Sequence, residues 1–303
     1  MSTDPNPSSG SDTPVPTCYR HPGRETYVRC TRCDRYICPD CMRDAAVGHQ
    51  CVECVAEANK GVRPARTRLG ARDTQDAPPV VTYSLIGLCL LAYVAELASP
   101  RVVDEFAMFG GESRFGQMIP GLGVAGGEWY RMITSMFLHQ PLSAGGFALT
   151  HILFNMWALW ALGPALEREL GRLRFFTLYM IAGFGGSVLI YLVDAGQVAV
   201  GASGAIFGLF AAFFVIGRKL GGDVRPIVFL LVLNLVITFS ASSAISWEAH
   251  IGGLVTGALV AVAYAYAPEA RRKIVHLVAP LVVLAGLVVL VVVKTSQLTS
   301  GVA

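Results

Sequence analysis

Two sets of residues have types and spacings that could do chemistry, and they sit in different surroundings. The first is a series of pairs, Cys18/His21, Cys30/Cys33, Cys38/Cys41 and Cys51/Cys54, each with two residues between its members. Four pairs supply eight ligands, enough for two closed tetrahedral zinc sites. A closed site leaves no position for water, so both ions would be structural, and this short polar stretch should not fold without them. A disulfide framework is the competing reading, and it depends on the compartment the stretch occupies. Interleaved sharing, with the first and third pairs on one metal, is the expected arrangement; the spacing also allows consecutive sharing. His49 is a spare nitrogen near the fourth pair and reads as solvent-exposed. Cys89, alone in an apolar run, reads as a buried free thiol.

The second set lies inside apolar runs, where polar side chains are expensive and point to function by default. It comprises His151, Asn155, Ser203 and His250. His151 and Asn155 are four apart and share one helix face. Ser203 lies in Gly201-Ala202-Ser203-Gly204-Ala205-Ile206-Phe207-Gly208, where Gly204 and Gly208 form a GxxxG. His250 precedes Gly253 and Gly257, a second GxxxG. Such faces let helix backbones approach closely. Two of them could bring a serine hydroxyl to an imidazole, the arrangement of an activated nucleophile. Each residue alone has an ordinary explanation. A serine bonds back to its own helix, a histidine sits at an interface, and a His/Asn pair glues helices together. Their joint placement favours catalysis.

The elements that must position these groups follow from composition. Of 303 residues, 53% are hydrophobic and 15% charged, against roughly 25% charged in soluble domains. The net charge of +3 is too small to argue for nucleic acid. Residues 1–17 are Ser/Pro/Asp-rich, carry no secretory signal pattern, and should be disordered. Crossing a ~30 Å hydrocarbon core takes about 20 residues. Seven candidate spans run near 80–98, 147–166, 175–193, 199–216, 226–241, 249–267 and 276–293. The fifth is the weakest, because its apolar core from Ile227 to Phe239 is short. Lys and Arg cluster before the first span, and between spans two and three, four and five, and six and seven. Loops 194–198 and 242–248 have neither. The positive-inside rule then puts the N-terminus in the cytoplasm and the C-terminus outside. Spans two, four and six would all enter from the outer side, with Ser203 a few residues below the outer end of its helix in a wet cavity. Cytoplasmic thiols stay reduced, which favours zinc over disulfides in 18–54.

Gly201-Ala202-Ser203-Gly204 resembles the GxSG nucleophile motif of the rhomboid family. His151-x-x-x-Asn155 resembles its HxxxN, Ala249-His250-Ile251-Gly252-Gly253 its AHxxG, and Trp129-Tyr130-Arg131 the WR pair of its long first loop. The resemblance covers about 80–268. It implies an all-α membrane protein, a rhomboid-like six-helix bundle, to which this chain adds a C-terminal seventh transmembrane helix and a small N-terminal zinc-binding domain. It further implies an intramembrane serine endopeptidase that cuts membrane-protein substrates near the outer face. Ser203 and His250 would form a dyad. His151, Asn155 and the Ser203 N–H would form the oxyanion hole, and Phe207 would pack on the base. Trp129, Arg131 and His139 would be structural and His276 interfacial. The Cys/His module resembles a B-box or RING-related zinc finger, a kind of module that binds protein partners. The resulting division is a tail 1–17, a zinc module 18–55, a basic linker 56–79 suited to an anionic bilayer surface, a protease core 80–268, and a seventh span with tail 269–303. The competing functions are a multi-spanning transporter or channel, and a scaffold whose zinc module does the work.

Overall fold

A computed structural model of the protein describes residues 15–61, 66–72, 77–113, 116–141, 147–241 and 245–300. The expected disordered tail 1–17 lies almost wholly outside these residues. The chain divides into two compact units, Met1–Pro64 and Ala65–Ala303.

The first unit is small. Strands β1 (Met42–Asp44) and β2 (His49–Cys51) pair antiparallel, with Met42 opposite Cys51, and helix α1 (Val52–Asn59) follows at once. Its interior is made of cysteines and Ile37, with Tyr19 and Met42 packed alongside. So little apolar material cannot order a chain of this length by burial alone.

The second unit is helical. It contains α2 (Val80–Ala98), two short helices α3 (Arg101–Phe106) and α4 (Arg131–Thr134), then α5 (Phe147–Leu170), α6 (Arg172–Val193), α7 (Ser203–Leu220), α8 (Arg225–Ser240), α9 (Trp247–Tyr266) and α10 (Arg272–Ser300). All seven expected spans are helices, as lipid demands of a backbone with no outside partners. Among the described residues, six are long and apolar enough to cross a bilayer. The exception is α8, with 16 residues, which agrees with the short apolar core read from its sequence.

Helices α6, α7 and α9 form the centre, and glycines set their spacing. A Cβ on Gly253 would collide with the Gly204 carbonyl, and one on Gly257 would collide with Gly208. The two GxxxG faces of α7 and α9 therefore meet residue against residue. On its other side α9 lies against α6, where a Cβ on Gly252 would stand 2.5 Å from the Gly185 carbonyl. Because Gly204 faces Gly253, the first turns of α7 and α9 lie at the same end of the bundle.

Buried polar groups tie the outer pieces to one another and to this centre. Glu167, near the end of α5, accepts from Val81 N, Thr82 N and the Thr82 hydroxyl at 2.8–3.1 Å. It thereby satisfies N–H groups at the start of α2 that have no partner in their own helix. Arg131, 4% exposed, donates to the carbonyls of Asp104 and Ala107 and to Glu128. That contact holds the Glu128 carboxyl below the usual carboxylate range. Arg131 thus fastens the first loop, as its motif implied, while Trp129 is 42% exposed. His276 lies between Arg174 and the Tyr264 carbonyl. In α10, the Thr295 and Tyr191 hydroxyls are 2.8 Å apart, which ties that helix to α6. Residues 66–72 carry two buried apolar side chains, Leu69 and Ala71, and Thr67 donates to the Glu169 carbonyl.

Candidate active site and metal sites

Helix α7 begins at Ser203 itself, not at 199 as the apolar run suggested. The reason is tertiary. Ala199 pairs in both directions with Met108, at 2.9 and 3.0 Å, and Gly201 N donates to the Ser135 carbonyl at 2.9 Å. These bonds hold the approach to the helix in an extended path. Gly201 has φ +135°, a conformation that glycine adopts without strain. Ser203 therefore stands at the first helical position rather than a few residues in. The N–H groups there have no partner within the helix and carry its positive partial charge.

His250 is in the first turn of α9 and 6% exposed. Its ring stacks on Phe207, one turn after Ser203, with centroids 4.0 Å apart and planes 12° off parallel. Its Nδ1 is 2.7 Å from the Thr238 hydroxyl of α8. Ser203 and His250 line the same cavity of about 850 Å³, together with Phe207, His151 and Asn155. Its walls are otherwise mainly apolar, with contributions from α5, α6, α7, α8 and α9.

His151 and Asn155 occupy one face of α5. A methyl group on Gly201 would lie 2.9 Å from His151 Nε2 and 3.7 Å from Ser203 Oγ, so both groups flank the same point of backbone. Asn155 is 6% exposed and donates one amide hydrogen to the His151 carbonyl at 2.9 Å. That Nδ2 carries a second hydrogen as well. Hydroxyl, imidazole and spare donors thus converge on one pocket, the composition that nucleophilic acyl transfer uses.

Three polar residues beside this set were not singled out from sequence, or were given no part in it. Thr238 touches His250. His139, read as structural, is fully buried with its ring centroid 5.3 Å from that of His151. Glu96, 2% exposed in α2, accepts from His139 N at 3.0 Å. The rule that picked out Ser203 also applies to Glu96 and Thr238, since both are polar residues within apolar helices.

In the first unit, the pairs interleave. Cys18, His21, Cys38 and Cys41 form one cluster, and Cys30, Cys33, Cys51 and Cys54 the other, with all ligand atoms of each within 4.8 Å of one another. Sulfurs 2.3 Å from one tetrahedral zinc lie about 3.8 Å apart, and Cys33 Sγ and Cys51 Sγ are 3.8 Å apart. His21 Nδ1 is 3.3–3.8 Å from the three sulfurs of its cluster. The donor sets therefore suit a thiophilic metal ion. His49 belongs to neither cluster and is only half-exposed, with Nδ1 3.3 Å from the Asp44 carboxylate. Cys89 is fully buried, as expected.

The chain is similar to known proteins. Residues 126–267 match the model of the Rhomboid domain. The YdcA rhomboid protein of Bacillus subtilis (strain 168) is 40% identical over 144 residues, 46% of this chain and 69% of the relative. The rhomboid protease GluP of the same organism is 32% identical over 198 residues, 62% of this chain and 36% of the relative. The rhomboid protease AarA of Providencia stuartii is 28% identical over 222 residues, 63% of this chain and 74% of the relative.

Proposed function

Because the chain belongs to the rhomboid family, we propose that this multi-pass membrane protein is an intramembrane serine endopeptidase acting on membrane-protein substrates. The observation that carries the reading is the sharing of one cavity by Ser203 and His250, with His151 and Asn155 on the same wall.

The reaction then runs as follows. Ser203 Oγ attacks the scissile carbonyl carbon while His250 Nε2 takes the hydroxyl proton. The negative charge gathers on the carbonyl oxygen. His151, the second Asn155 amide hydrogen and the Ser203 N–H donate to it, and such donors typically lower the barrier by ~2.7–4 kcal/mol each. Collapse breaks the C–N bond, and the imidazolium returns its proton to the leaving amine. Water, activated by the same His250, then releases the acyl group from Ser203. The stack on Phe207 holds the imidazole plane through both halves.

The alternation of Lys and Arg supports a cytoplasmic N-terminus and an outer C-terminus, which puts the cavity near the outer leaflet. In the first unit, the interleaved clusters support two structural zinc ions, one held by Cys18, His21, Cys38 and Cys41 and the other by Cys30, Cys33, Cys51 and Cys54. The ions supply rigidity and take no part in the hydrolysis.

The test uses the full chain in proteoliposomes with a model transmembrane substrate. The wild type cleaves it and is labelled by a fluorophosphonate. Ser203→Ala and His250→Ala abolish cleavage while unfolding at the wild-type temperature. Undiminished cleavage by Ser203→Ala ends the assignment.

A further inference from the structure

Helix α8 lies outside the central three, and of its residues only Ile227 and Thr238 are buried. Thr238 is 1% exposed. Its hydroxyl is 2.7 Å from His250 Nδ1 and, on the other side, 2.7 Å from the Asn234 carbonyl one turn back in α8. Asn234 in turn donates its own amide to the Leu230 carbonyl at 2.8 Å. A polar ladder thus runs along one stripe of α8 and ends on the imidazole.

A hydroxyl has one proton to give. A threonine in an apolar helix gives it to the carbonyl four residues before, and Thr238 has the geometry to do so. Toward His250 its oxygen can then only accept, so Nδ1 must carry the hydrogen. A neutral imidazole protonated at Nδ1 has its lone pair on Nε2, the nitrogen a serine base needs. Among the described residues no carboxylate meets Nδ1: Glu248 is on α9, but its carboxylate accepts from the Ser246 hydroxyl. The other titratable side chain facing the cavity is His151 on α5.

We infer that Thr238 is the positioning residue of the base: it fixes the tautomer of His250 and, with the Phe207 stack, its ring orientation. The inference rests on the protease reading above and adds a member to it from a helix that carries none of the motifs. Its hydroxyl holds a proton in place and transfers none.

The experiment compares Thr238→Val, which keeps the branched shape, with Thr238→Ser, which keeps the hydroxyl. Both are made in the full chain, with Ser203→Ala alongside. Losing one hydrogen bond to the base should lower kcat of the valine variant by about 10-fold. KM should stay within about 2-fold, because no substrate contact is removed. The serine variant should stay within about 3-fold of wild type in kcat. Imidazole nitrogen NMR on histidine-labelled protein should show His250 protonated at Nδ1 in the wild type and a mixture of tautomers in the valine variant. A valine variant at wild-type kcat overturns the inference, as does a wild-type His250 protonated at Nε2. Equal losses in the valine and serine variants, with lowered unfolding temperatures, would reduce Thr238 to packing. Cleavage by Ser203→Ala would instead remove the protease reading, and the NMR result would still decide the tautomer.

Discussion

Between Cys18 and Cys54, eight potential metal donors from four chain segments meet in two clusters, and little else is buried, so bound metal would hold them in place. Between Ala65 and Ala303, functional atoms are held by what surrounds them: Ser203 and His250 face one cavity because glycines on α6, α7 and α9 let three backbones close up. On the proposed reading, the site makes the fold in the first unit and the fold makes the site in the second. The two should therefore respond oppositely to insult. Removing a ligand atom should dissolve the small unit, whereas removing a reacting atom should leave the large one standing and silent.

Metal removal is the strongest way to separate them. Structural zinc contributes about 10–16 kcal/mol of apparent binding energy per site at neutral pH. A chelator should release about two zinc ions per chain, measured by a chromogenic zinc dye, and collapse the amide spectrum of an isolated 15–61 fragment. A fragment that keeps a dispersed spectrum without metal would break the contrast at its first half. Next in size is backbone spacing. Gly253→Leu puts a side chain where the Gly204 carbonyl lies, and overpacking of this kind, with no flexible neighbour to yield, should exceed about 4 kcal/mol. The expected sign is loss of the thermal transition of the membrane unit. A variant that unfolds at the wild-type temperature would show that the α7–α9 contact is not tight.

Chemistry comes third. His151→Ala should lower kcat about 10²- to 10³-fold, the cost of one oxyanion donor, with unfolding temperature and KM little changed. An equal rise in KM would point to substrate binding instead. The smallest effect expected is at the start of α2. Glu167→Gln keeps one acceptor for the Val81 and Thr82 N–H groups and loses the negative charge at a helix N-terminus. It should cost about 1 kcal/mol by denaturant unfolding and leave kcat untouched. A loss of activity larger than the loss of stability would mean that α2 feeds into the site.

Much of this was readable without coordinates. The seven apolar stretches correspond to helices because lipid allows a spanning backbone no other economy, and the short core of α8 already marked it as the odd one. Local repetition marks the Cys/His pairs, and the motifs around Ser203 and His250 are visible in the sequence. What escaped detection has a common character. The start of α7 moved to Ser203 because Met108 and Ser135, far away in the chain, bond to Ala199 and Gly201. Glu96 and Thr238 carry no motif and His139 reads only as structural, because each acquires meaning from a partner on another helix.

Taken alone, the order of residues determined which segments are apolar enough to enter lipid and which of their side chains are too polar to be there by accident. These are properties of a stretch of about 20 residues and its solvent. Only the tertiary structure decided that the cysteine pairs alternate between two clusters, that Gly204 meets Gly253, and that a threonine on α8 reaches the imidazole of α9. Such outcomes depend on packing between segments distant along the chain, where side-chain shape and hydrogen-bond geometry select one register among several that the same local patterns permit.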